Sequence, residues 1–156
     1  MVLEKGDMWS VFGKTDWFLI TTNPIVRKDG AAVMGAGIAK EAASRYPGLA
    51  FDFGTRLKGW GGYWYEHQVA TIGVYGGQRI GCFMVKDHWQ NPACPVIIMD
   101  SVDTLKDILR SLNEIGIGYQ RIDLNFPGIG NGKLKREDVL PIIEQLPDNV
   151  HVWEYE

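Results

Sequence analysis

MGAGIAKEAASRY, residues Met34 to Tyr46, is the stretch on which the reading of this chain turns. Gly35 and Gly37 lead straight into a helical pattern. Ile38, Ala39, Ala42, Ala43 and Tyr46 share one face, and Lys40, Glu41, Ser44 and Arg45 share the other. Glu41 and Arg45 have the i,i+4 spacing of a supporting ion pair, and Pro47-Gly48 closes the helix. The leading N–H groups of a helix lack partners within it and carry the positive end of its dipole. Glycines at that point let an anion reach the main chain. One reading is therefore a site for a phosphate-bearing ligand. The other is a tight turn into a core helix, and this stretch alone does not separate the two.

On the N-terminal side, Asp16–Thr22 (DWFLITT) suits a buried strand that runs into the turn signal Asn23-Pro24. Before it, Val2–Lys5 reads as a short strand ending at Gly6-Asp7, and Ile25–Val33 reads as a loop. On the C-terminal side, Gly48–Trp60 reads as a second helix. Tyr63–Tyr75 and Arg79–Lys86 then read as strands joined at Gly76-Gly77, a hairpin signal. Asp87–Pro95 is polar and proline-bearing, hence a loop.

Ser101–Ile115 keeps a helical period through Val102, Leu105, Ile108, Leu109, Leu112 and Ile115. Arg121–Asn125 alternates like a strand and is followed directly by a second glycine-rich segment, Phe126–Leu134 (FPGIGNGKL). Glu137–Leu146 reads as a helix that Pro141 should bend or delay, and Val150–Tyr155 closes the chain as a strand. Interleaved strands and helices argue for an α/β domain with helices on both faces of a mostly parallel sheet, which the hairpin makes mixed.

A chain of 156 residues is expected to form a single domain, 1–156. Its net charge of −3 argues against binding nucleic acid through bulk positive charge. No apolar run reaches the length of a membrane span, the N-terminus lacks an apolar leader core, and Cys82 and Cys94 form no disulfide framework. A cytoplasmic location and no membrane partner are expected. His67, His88 and His151 are scattered without ligand spacing, so no metal is expected.

Two glycine-rich loops, each after a strand and before a helix, can face one crevice beyond the strand ends. Neither fits a familiar nucleotide motif. A dinucleotide fingerprint needs a glycine where Lys40 stands, and a P-loop needs four residues between its glycines, whereas Gly128 and Gly132 enclose three.

The order and separation of several segments resemble the macrodomains, which bind ADP-ribose. These are Lys5-Gly6-Asp7, Asn23, Met34–Ala39 (MGAGIA), Phe83–Lys86 (FMVK) and Pro127–Val139 (PGIGNGKLKREDV). The similarity runs most strongly to the branch containing terminal ADP-ribose protein glycohydrolase and the antitoxins that remove ADP-ribose from DNA. It implies a three-layer α/β/α sandwich, ADP-ribose or an ADP-ribosylated macromolecule (DNA or protein) as partner, a cognate ADP-ribosyltransferase, a monomer and no cofactor.

The resemblance also assigns roles. Asp7, with Met8 beside it, would take the adenine amino group, and Trp153 would pack on the adenine ring. Asn23 would bond the distal ribose, although Thr21-Thr22 replaces the longer asparagine-containing motif of many macrodomains. Met34, Gly35, Ala36, Gly37 and Ile38 would cradle one side of the diphosphate. Pro127, Gly128, Ile129, Gly130, Asn131 and Gly132 would cradle the other, with Lys133 and Lys135 flanking them. Lys86 would attack the anomeric carbon of the distal ribose, giving a hydrolase; a non-catalytic reader and an ADP-ribose-1″-phosphate phosphatase are the alternatives. A neutral amine is then required, which burial or a neighbouring cation would favour. The branch's human-type enzyme has a catalytic aspartate where this chain has Gly132, which leaves Asp29 and Asp87 as unranked candidates for the acid or base.

Overall fold

Phe18, Leu19 and Ile20 follow one another in the second strand, and all three are fully buried, as a strand covered on both faces requires. The computed structural model describes residues 1–155. Along the chain come β1 (Val2–Lys5), β2 (Trp17–Thr22), α1 (Gly37–Arg45), α2 (Leu49–Gly59), β3 (Val69–Tyr75) and β4 (Gln78–Met84). Then follow α3 (Pro95–Glu114), β5 (Ile122–Asn125), α4 (Arg136–Ile143) and β6 (Val150–Glu154). The strands form one six-stranded sheet in the order β1-β6-β5-β2-β4-β3. Every pairing is parallel except β3 with β4, the hairpin turning at Gly76-Gly77, so the sheet is mixed and mostly parallel as expected.

The side-chain period of two sorts this sheet into two cores. Phe18, Ile20, Ile80, Cys82 and Met84 meet Ile38, Ala39 and Ala42 of α1 and Leu49, Phe53 and Leu57 of α2. Leu19, Phe83, Ile122, Leu124, Val150 and Val152 meet Ile98, Val102 and Leu105 of α3 and Val139 and Ile143 of α4. The result is the expected α/β/α sandwich. Cys82 is one of the packed residues, and burial pushes its thiol up to about 12, which leaves it inert.

Several boundaries differ from the sequence expectation: most by one residue, but β4 ends at Met84 rather than Lys86, and three others differ more. Tyr63–Gln68 is not strand: Gly61 and Gly62 turn the chain at positive φ, Trp64–Glu66 forms a short 3₁₀ turn, and β3 starts at Val69. Aromatic residues favour strands because they pack against strand neighbours. Here Tyr63 and Tyr65 are exposed and Trp60 stacks on His67 instead, with ring centroids 4.6 Å apart. The third helix begins at Pro95 rather than Ser101, because proline suits the first helical position, where its missing N–H leaves no bond unmade. Helix α4 runs from Arg136 to Ile143, so Pro141 sits inside it without delaying its start, and it ends short of Leu146, whose helical backbone Pro147 disfavours.

Candidate functional site

Parallel pairing brings the carboxyl ends of β2, β4, β5 and β6 to one edge of the sheet, and the loops that follow them surround a cavity of about 870 Å³. This is where an open α/β sheet binds its ligands. Both glycine-rich loops line it. Met34, Gly35, Ala36, Gly37 and Ile38 contribute from the β2 side, and Gly128, Ile129, Gly130, Asn131 and Gly132 from the β5 side. They approach closely: a Cβ on Gly37 would lie 3.4 Å from the Asn131 amide nitrogen. Gly37, at φ +56°, opens α1, whose N-cap residue Ala36 offers no side-chain acceptor. The leading amides of α1 are therefore left for a ligand. In the second loop Gly128 has φ +80°, and a Cβ there would meet Ile98 at 2.7 Å, so only glycine allows this path of the chain.

Lys86 follows the end of β4. The Val85 N–H donates to the Thr22 carbonyl at 3.1 Å and carries the ladder one residue past the strand. The loop returns where Cys94 N–H donates to the Val85 carbonyl at 2.8 Å, and Ala93 N–H donates to Gly132 at 2.8 Å, joining it to the second glycine loop. Lys86 is thus held between anchored segments, half-buried on the cavity wall. Burial lowers its ammonium below the ordinary lysine value, and the positive charge of Lys133 lowers it further. Both effects favour the neutral, nucleophilic amine.

Asn23 lines the cavity and also shapes it. Its Oδ1 accepts from Ile25 N–H at 3.0 Å and its Nδ2 donates to the Val33 carbonyl at 3.1 Å, pinning both ends of the 25–33 loop. One amide hydrogen and one lone pair remain for a ligand. Trp153 forms part of the opposite wall, with its indole N–H donating to Asp123 at 2.8 Å.

Three of the expected binding residues lie off the cavity wall. Asp7 is exposed and its Oδ1 accepts from Trp9 N–H at 2.9 Å, Met8 is packed in the core, and Pro127 is buried behind the loop. Neither Asp29 nor Asp87 reaches the cavity wall either. Asp29 pairs with Arg27 at 2.5 Å and Asp87 accepts from Asn91 at 3.1 Å. Among the described residues the only carboxylate on the wall is Glu154, which is taken up by Arg136 at 2.7 and 2.8 Å. Also among the described residues, no group of His, Cys, Asp and Glu is placed to hold a metal ion, and no helix is long and apolar enough to cross a membrane.

The wall includes residues the sequence did not single out: Arg27, Trp89, Asn125 and Tyr155. Trp89 is the most conspicuous, a half-exposed tryptophan three residues past Lys86 that stacks on His88 at 5.6 Å.

A layered α/β/α domain with two glycine loops facing each other over the strand ends has a macrodomain-like fold. Within that class the chain is similar to the macrodomain of Mycobacterium tuberculosis DarG: 28% identity, 99% of this chain and 95% of that one covered, TM-score 0.69. The macrodomain of Thermus aquaticus DarG is 21% identical over 99% of this chain and 97% of that one, at a TM-score of 0.65. Thermosipho africanus DarTG in complex with ADP-ribose is 18% identical, at a TM-score of 0.71. This chain matches it over its whole length but spans only 42% of that longer chain. No protein-family model matches the sequence, and no curated protein matches it.

Proposed function

We propose that this chain binds ADP-ribose in the cavity and releases it from a modified macromolecule, with Lys86 as the nucleophile. The diphosphate lies between the N-terminus of α1 and the 128–132 loop, where main-chain amides and the helix dipole favour negative charge. The adenine packs on Trp153 and the distal ribose reaches Asn23 and Lys86. In the first step the Lys86 Nζ lone pair attacks the anomeric carbon. The bond to the carrier breaks, its electron pair leaves with the carrier, and a proton passes from the amine to the carrier through solvent. In the second step water attacks the same carbon and the lysine departs, regaining its proton. DNA and protein both fit as carriers, and a cognate ADP-ribosyltransferase is the partner that the resemblance implies.

The observation that supports this reading is that Lys86 lines the same cavity as both glycine loops, with its charge disfavoured by burial and by Lys133. A second reading, a reader that binds without cleaving, draws support from the absence of an unpaired carboxylate on the described wall. Lys86→Ala separates the two. Calorimetry should show ADP-ribose bound by both forms. Release from ADP-ribosylated thymidine DNA or ADP-ribosylated protein should occur with the wild type and be lost in the variant. A wild type that binds and releases nothing is a reader; one that gives no heat at millimolar ADP-ribose is neither.

A further inference from the structure

Nothing in the reaction described above uses Asp123, yet among the described residues it is the most deeply buried charge. It sits mid-strand in β5 between Ile122 and Leu124 and has 0% exposure. A carboxylate taken out of water in a sheet interior is tolerated only when its oxygens are paired. Arg121 Nε donates to Oδ2 at 3.0 Å and Arg121 Nη2 to Oδ1 at 3.1 Å, while Trp153 Nε1 donates to Oδ1 at 2.8 Å. Burial pushes this carboxyl upward, but the Arg121 guanidinium, the Thr15 hydroxyl and the Trp153 N–H together outweigh it, so the group stays below the usual carboxylate range.

The strand register explains the reach. Trp153 stands opposite Asn125, and Asp123 lies two residues back on the same face, so the indole leans diagonally along the sheet to meet it. A leucine would fill that place without a buried charge. What the carboxylate adds is direction, because an indole has a single N–H and only one ring orientation points it at Asp123.

We propose that the Arg121–Asp123 pair is a positioning device that locks the Trp153 ring in the orientation against which the ligand's adenine packs. This rests on the reading of the cavity as an ADP-ribose site with Trp153 at its adenine end. Asp123 touches no ligand; it acts through the indole.

A double-mutant cycle on the full chain tests this, with ADP-ribose calorimetry of wild type, Asp123→Leu, Trp153→Phe and the double variant. Asp123→Leu alone should weaken binding about three- to tenfold, the range of an ordered aromatic contact. In the Trp153→Phe background, where no N–H remains to be held, the same change should add nothing. The Trp153 indole N–H resonance should exchange slowly in the wild type and lose that protection in Asp123→Leu. Should Asp123→Leu not fold, the isostere Asp123→Asn carries the comparison. Its single amide oxygen must serve three donors, so it should show the same effect in smaller measure.

Unchanged ADP-ribose affinity in a folded Asp123 variant, or an equal loss with and without the indole, overturns the proposal. A wild type that does not bind ADP-ribose overturns this proposal together with the proposed function. A wild type that binds, with a flat cycle, overturns this one alone.

Discussion

At the scale of single residues, the proposed reaction depends on how much charge Lys86 keeps. Its ammonium is weakened by burial and then by Lys133. The sign follows: the proposed nucleophile is the neutral amine, so turnover should rise with pH along a limb centred below the ordinary lysine value of 10.5. Lys133→Gln removes the neighbouring positive charge, raises the Lys86 pKa and should move that limb to higher pH, which a pH–kcat profile on an ADP-ribosylated substrate will read. Much of this site was legible in the sequence. Met34–Ile38 and Gly128–Gly132 advertise themselves as glycines after strands and before helices. Asp123 and Trp89 did not, for a physical reason: Asp123 gains its meaning from a tryptophan 30 residues away on another strand. Trp89 gains its meaning from lying on a wall built by four strand ends.

At the scale of elements, local pattern sufficed where a segment's own period matched its environment. Helix α1 carries a full apolar stripe with Gly37 at its head and Pro47 past its end, and it forms where the pattern places it. The opening of α3 was hidden because Val96–Met99 is a continuous apolar run, in which no period distinguishes helix from strand. Tyr63–Gln68 misled in the opposite way, with strand-favouring aromatics that have no strand beside them. Packing between elements also sets the cavity's outer wall. Gly54 of α2 abuts the 25–33 loop so closely that a Cβ there would fall 1.9 Å from the Gly30 carbonyl oxygen. Gly54→Ala should therefore cost about 1–3 kcal/mol or more, as overpacking of a tight interface does, visible as a lower urea midpoint. Because Arg27 and Val33 belong to the displaced loop, ADP-ribose affinity should fall with it.

At the scale of the whole molecule, the buried and half-buried carboxylates tie stability to pH. Glu154, on β6, is held below its ordinary value of 4.5 by Arg136 of α4. Asp123 is held below 3.8 despite its burial, through Arg121, Thr15 and Trp153. A carboxyl whose folded pKa is depressed contributes stability that is present above its unfolded value and lost as pH falls through the folded one. The urea midpoint should hold from neutral pH to about 5 and then drop steeply toward pH 2. Arg136→Met should flatten that drop and lower the neutral midpoint. An acid limb unchanged by Arg136→Met would show that this link between helix and sheet contributes nothing.

The β1–β6 ladder has a mechanical consequence. These neighbours carry the two ends of the described chain and run parallel, in register from Val2 with His151 to Lys5 with Glu154. A force applied to those ends slides one strand along the other, so every rung bears load at once. In an antiparallel pair pulled from adjacent ends, the rungs would open singly. Stretched between its termini, the domain should resist like a clamp and yield in one abrupt event, with the ligand cavity intact until it does.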